Sequence, residues 1–165
     1  MLGVYQQEIT DWAVALGAKS GLARENARRH LVEMGLAATP VLETLLQDKR
    51  KQVRWEAAMT MKEIADPGSV PSLIDALEDE DRDVRWVAAE ALADIGEAGL
   101  KPLLESLLLR GDSLELREGA RLVFSQLEDY DLRYILHPVS DALEKSLPPE
   151  VVMVEAGKLL GGRRP

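Results

Sequence analysis

Val84, Ala88, Ala91, Leu92 and Ile95 fall at i, i+4, i+7, i+8 and i+11, one face of an α-helix that Gly96 then stops. The stretch holding the start of this face, "VRWVAAEAL" from Val84, is a near copy of "VRWEAAMTM" from Val53, 31 residues earlier, and a looser copy opens at Leu116. Before each copy lies a shorter apolar pattern: "VLETLLQD" at Val41, "SLIDALED" at Ser72 and "LLESLLLR" at Leu103. Pro40, Pro71 and Pro102 head these three patterns at intervals of 31. Proline suits the first turn of a helix, where its missing N–H has no bond to lose. The pattern therefore predicts a short first helix, a turn and a longer second helix, written three times.

Weaker copies flank the clear ones. "LARENARRHLVEMG" aligns with the second-helix pattern if one residue is gained, stops at Gly35, and takes Val4 to Leu16 as its partner helix. On the carboxyl side, "DLRYILHPVSDAL" and "PPEVVMVEAGKLLG" supply a first and a second helix. Two helices every 30 residues or so describe an α-solenoid, in which each unit buries its apolar face only against its neighbours. The expected fold is all-α: a single domain over residues 1–165, with units near 4–35, 36–66, 67–97, 98–128 and 129–161.

The stretch "EDEDRDVRWVAAEALADIGEAGLKPLLESL" resembles the HEAT-like repeat of the bilin-lyase type, well over residues 36–127 and loosely at the flanks. The resemblance implies a right-handed α-α superhelix of about five HEAT-like helix pairs, with the second helices lining a concave surface that binds other proteins. It also implies that some relatives handle bilin chromophores and that others accompany enzymes. Within each unit an acid precedes the second helix and an arginine opens it: Asp48 and Arg54, Asp79 and Arg85, Asp112 and Arg117. In the family such pairs form a ladder between units. The five donors of a guanidinium can serve turn carbonyls and a carboxylate together.

One stripe of the second helix is left outside both the core face and the ladder. It holds Trp86, Glu90 and Ala93, with copies at Trp55, Met59 and Lys62 and at Glu118, Leu122 and Ser125. Glu25 and Arg29 extend it at one end, Val154 and Lys158 at the other. If the family geometry holds, this is the concave wall. The repeat explains the recurring Val, Arg and Ala pairs of the second helix, since every unit must offer the same faces, but no core position calls for a tryptophan. Two readings stand: the rings shield the core, or Trp55, Met59, Trp86 and Leu122 form an apolar patch for a partner. Trp12, at helical spacing from Ile9 and Leu16, fits cap packing.

Composition narrows the function. The chain has 46% hydrophobic residues but only 4% aromatic ones, so aliphatic side chains build the core. It has no cysteine, which removes disulfides, thiolate metal sites and cysteine nucleophiles. Its net charge is −9, distributed as +2 over residues 1–54 and −11 over the remainder. Such a field repels phosphate backbones, which argues against nucleic-acid binding and against a helical-repeat glycosylase. The acidic run from Glu78 to Asp83 reads either as a solvated turn or as a dock for a basic partner. His30 and His137 lie on different units and read as solvated or capping groups. No metal, phosphate-loop, dinucleotide or nucleophile motif is present, and no catalytic, cofactor or metal residue is assigned.

The expectation is a cytoplasmic, non-catalytic scaffold that binds a protein or peptide on its concave face. The partner-binding set is Trp55, Met59, Lys62, Trp86, Glu90, Glu118 and Leu122. A bilin-lyase-like or enzyme-accessory role is the alternative. No membrane span is expected, because no stretch reaches about 18 apolar residues.

Overall fold

The computed structural model describes residues 2–161, with side chains from Tyr5 to Gly161. Ten α-helices follow one another: α1 (Leu2–Ala15), α2 (Gly21–Met34), α3 (Thr39–Leu45), α4 (Lys51–Ile64), α5 (Val70–Ala76), α6 (Arg82–Ile95), α7 (Glu97–Arg110), α8 (Leu114–Gln126), α9 (Tyr130–Glu144) and α10 (Pro149–Gly161). Short 3-10 turns, Gly35–Ala38 and Pro67–Ser69, precede α3 and α5. Among the described residues there is no strand. The helices pair and stack as a solenoid, as the repeat predicts.

Local chemistry sets the boundaries. Ser20, Asp81, Ser113 and Asp129 cap α2, α6, α8 and α9 by accepting a backbone N–H within the first turn. Gly35 and Gly96, at φ 58° and 70°, terminate α2 and α6. At the equivalent place after α4, Ala65 adopts the left-handed conformation itself, at φ 51°. Pro40 and Pro71 sit in the first turn of α3 and α5. Pro102 does not head its helix: α7 begins at Glu97 and runs through it. In this unit the segment that forms a separate 3-10 turn elsewhere is continuous with the helix. Pro102 cannot donate a bond to the Ala98 carbonyl, and its ring crowds that carbonyl, so α7 bears a local cost there.

The second helices α2, α4, α6 and α8 pack one on the next, as do the first helices α1 with α3 and α5 with α7. Between the layers runs one apolar core, in which Leu16, Leu31, Leu42, Leu73, Leu92, Leu107 and Leu116 are almost fully buried. Each such side chain contributes about 1.5–3 kcal/mol of transfer free energy. Small residues allow close stacking. A Cβ on Gly119 of α8 would lie 2.9 Å from the Leu77 Cβ.

The last pair departs from the expected order. α9 packs against α8 and α10 against α7, so the first and second layers are exchanged. The cause lies in the connection after α8. Leu127 is extended, at φ −62° and ψ 126°, where α2, α4 and α6 end on residues with positive φ. Asp129 then caps α9 at once, and the hairpin folds back along α8. The return helix α10 is thereby laid on α7, where Gly111 receives Met153 and Gly157 faces Leu108. Val154 and Lys158, expected at the far end of the second-helix stripe, therefore lie in the first-helix layer.

Candidate functional site

The arginines that open α4 and α6 are each committed to the turn before the helix. Arg54 Nη1 donates to the Asp48 carbonyl at 2.9 Å, and Arg85 Nη1 to the Asp79 carbonyl at 2.8 Å. Arg24, the weaker copy's equivalent, donates to the carbonyls of Ala18 and Lys19. Spacing across the turn thus reflects a contact with its backbone. The carboxylates go elsewhere. Asp79 accepts from Arg54 of the preceding unit through both oxygens, at 2.7 and 3.0 Å, while Asp48 is held by its neighbour Arg50. Those bonds from Arg50, including its backbone N–H, keep the Asp48 carboxyl well below the usual carboxylate range.

Between the third and fourth units the polarity reverses. The position 31 after Asp79 holds Arg110, which donates back to Glu78 at 2.6 Å and to Asp75 at 3.2 Å. Asp112 is exposed and pairs with neither Arg85 nor Arg117 among the described residues. Most of the acidic run from Glu78 to Asp83 is thereby used in stacking. Glu78 holds Arg110, Asp79 and Glu80 hold Arg54, and Asp81 both caps α6 and pairs with Lys51 at 3.1 Å.

Glu56 went unassigned in the sequence reading. It is 2% exposed and accepts from Arg24 Nε at 2.7 Å, Arg28 Nη1 at 2.8 Å and Gln52 Nε2 at 3.0 Å, tying α4 to α2. A signal for it existed in the repeat itself, because Glu56 stands where the aligned copies carry Val87 and Gly119, both buried. A carboxylate at a core position of a repeat needs a buried partner.

The predicted stripe lies along α4, α6 and α8 and is uneven. Trp55, Met59 and Leu122 are half-buried and packed against the core. The Trp55 ring lies beneath the Arg28 guanidinium, 6.0 Å from it. Trp86 is 44% exposed. Lys62 and Glu90 join α4 to α6 through a 2.8 Å ion pair, which raises the Lys62 pKa. Glu118 is exposed. The structure thus places the stripe on adjacent parallel helices but divides its two tryptophans, one tucked under an arginine and one open. A groove beside Trp55, about 490 Å³, is walled by Arg24, Arg28, Gln52 and Asp83.

The exchanged last pair extends the second-helix layer with α9. Ser125 of α8 borders a groove whose other wall holds Tyr130, Tyr134 and His137. Both tyrosines are exposed, and sequence periodicity alone gave them no place on this layer. At the opposite end His30 is half-buried, stacked on Trp12 with ring centroids 4.0 Å apart, and its Nδ1 lies 2.8 Å from the Asn26 carbonyl. Among the described residues no group of three or more His, Asp or Glu is arranged to hold a metal ion, and no helix is long and apolar enough to cross a membrane.

The solved structure of the complex of CpcE and CpcF of phycocyanin lyase from Nostoc sp. PCC7120 contains a chain similar to this one, with a TM-score of 0.64 and 25% identity, over 93% of this chain and 98% of that one. An engineered protein of known crystal structure matches at a TM-score of 0.46 and 21% identity, over 93% of this chain and 78% of that one. No curated protein matches by sequence. A family model described as HEAT repeats matches residues 38–125, more than half of the chain, across the units whose 31-residue repeat and stacked helices are set out above. The chain belongs to the HEAT-repeat family.

Proposed function

We propose that the chain is a non-catalytic protein-binding module that receives its partner across the second-helix layer. Trp55, Met59, Trp86 and Leu122 form the apolar centre of that surface, and Lys62, Glu90 and Glu118 its polar rim. The observation that carries this reading is Trp86, 44% exposed at a position where the copies on α2 and α8 have Glu25 and Glu118. Stacking needs no ring there, whereas tryptophan is the residue most often found at the energetic centre of an interface. The test is capture of partners from native extract by the unaltered chain and by a Trp55→Ala, Trp86→Ala variant. The expected result is loss of the main captured protein with the helical circular dichroism kept. Equal capture by the folded variant would move the binding surface elsewhere.

The likeness to a phycocyanin-lyase subunit supports a second reading, a chromophore-handling accessory chain. Co-expression with a phycobiliprotein subunit and a bilin decides it: covalently bound pigment that forms only in the presence of this chain supports the lyase-like reading.

A further inference from the structure

The segment from Glu128 to Lys145, which forms α9 and its approach, sets five acids against Arg133 and Lys145. Two of the acids are used within it: the Asp129 carboxylate accepts the Leu132 N–H at 2.9 Å, and Asp141 pairs with Lys145 at 2.8 Å. Glu128, Asp131 and Glu144 are exposed and make no ion pair among the described residues, and neither does Arg133. Tyr130 and Tyr134, one turn apart, are 77% and 75% exposed, against 44% for Trp86. They stand where α9 extends the second-helix layer beyond α8. Asp131 lies on the helix three residues before Tyr134, within side-chain reach, and Glu128 leads into α9 just ahead of Tyr130. A groove of about 390 Å³ has both tyrosines, Arg133, His137 and Glu144 along its wall. The face of an aromatic ring attracts a guanidinium. The molecule already makes that contact once, with Arg28 over Trp55 at 6.0 Å, but no cation lies over either tyrosine among the described residues.

We propose that this face of α9 docks an arginine-bearing segment of a partner polypeptide. One guanidinium lies on the Tyr130–Tyr134 pair, with Asp131 and Glu128 as counter-ions, and a second reaches Glu144. From the midpoint of the two tyrosines to Glu144 the helix runs about 18 Å, the length of about five extended residues, so the arginines stand about five apart in the partner. Charge decides for this occupant. An acidic segment meets three unpaired carboxylates and the net −11 of residues 55–165, while an uncharged one gains nothing from them. Arg133 falls between the two anchor points, so the middle of the segment is uncharged and offers it backbone carbonyls. Arginine suits the site better than lysine, because a planar guanidinium stacks on a ring while keeping its edge for a carboxylate. The surface shares no residue with the tryptophan-centred one and stands without it.

The chain has three tyrosines, so selective tyrosine labelling of the full chain gives three sets of ring signals in a nuclear magnetic resonance titration, with Tyr5 on α1 as the control. Tyr130→Phe and Tyr134→Phe assign the other two. The probes are the peptide acetyl-Arg-Gly-Ser-Gly-Ser-Arg-amide and its analogues with both arginines replaced by Gln or by Glu. The Arg peptide is expected to shift Tyr130 and Tyr134 saturably, to leave Tyr5 in place, and to bind about tenfold or more tightly than the Gln analogue. Tyr134→Ala and Glu144→Gln, both at exposed side chains, should each weaken it about threefold. Unmoved Tyr130 and Tyr134 signals, an equal shift of Tyr5, equal binding of the Gln analogue, or tighter binding of the Glu analogue each overturns the proposal. So does association of the chain with itself, read by sedimentation, that Tyr130→Ala with Tyr134→Ala abolishes, which would put a second copy on this face.

Discussion

Arg54 and Asp79, 25 residues apart, form a two-bond ion pair in which both side chains are less than 10% exposed, with Nε and Nη2 on the two carboxylate oxygens at 2.7 and 3.0 Å. The same guanidinium holds the Asp48 carbonyl, so one side chain fixes the turn of its own unit and the start of the next. Planar, forked geometry makes this possible, and lysine could not reproduce it.

Asp79→Asn should therefore cost about 1–3 kcal/mol, because it leaves the buried Arg54 charge with only the largely exposed Glu80 carboxylate as its counter-ion. Asp112→Asn, the same change at an exposed acid with no partner, should stay within about 0.5 kcal/mol. Urea denaturation midpoints of the two variants compare the two directly. Equal midpoints would mean that the junction does not depend on this pair.

A pH dependence follows from Asp48. Its folded pKa is lowered by Arg50, so its contribution to stability is present above the unfolded value of about 3.9 and is lost as pH falls through the folded one. Asp81, lowered by Lys51, acts in the same direction. Asp48→Asn should be less stable than the unaltered chain at neutral pH, and the gap should narrow steadily below about pH 4. Thermal midpoints measured from pH 7 down to pH 2 test this. A gap that stays constant would show that Asp48 acts through its shape and not through its charge.

Gly119 predicts an overpacked junction. A methyl group there meets the Leu77 side chain at 2.9–3.1 Å, between α8 and the end of α5. Gly119→Ala should destabilise by about 1–3 kcal/mol despite the better helix propensity of alanine. Gly161→Ala, where nothing among the described residues lies within 4 Å of the added atom, should be neutral or slightly stabilising. Calorimetry on the pair separates packing from propensity.

The two tryptophans should separate in the same way. Trp86→Ala, at an exposed ring, is expected to cost less than about 1 kcal/mol of stability. Trp55→Ala removes a half-buried ring packed on the core and beneath Arg28, and is expected to cost about 1–3 kcal/mol. Trp86 should also be the more readily quenched by acrylamide, as a fluorescence titration of two variants would record, one keeping only Trp55 and the other only Trp86, with Trp12 replaced by Phe in both.

Sequence alone was enough to read the helices, their pairing within each unit and the solenoid. Every unit must present the same apolar face to its neighbours, so the 31-residue period is written in Val53, Val84 and their followers, and local chemistry such as the Asp81 cap and the Gly96 stop marks the ends. It also carried a trace of the buried Glu56, visible as a carboxylate set against Val87 in an otherwise matched stretch. The fold settles which acid meets which arginine, because that depends on how one unit is offset from the next: Asp79 goes to Arg54, and Asp48 stays with Arg50. It alone decided that α9 follows α8 and α10 covers α7, since one extended residue at Leu127 redirects a hairpin whose helical pattern is unchanged.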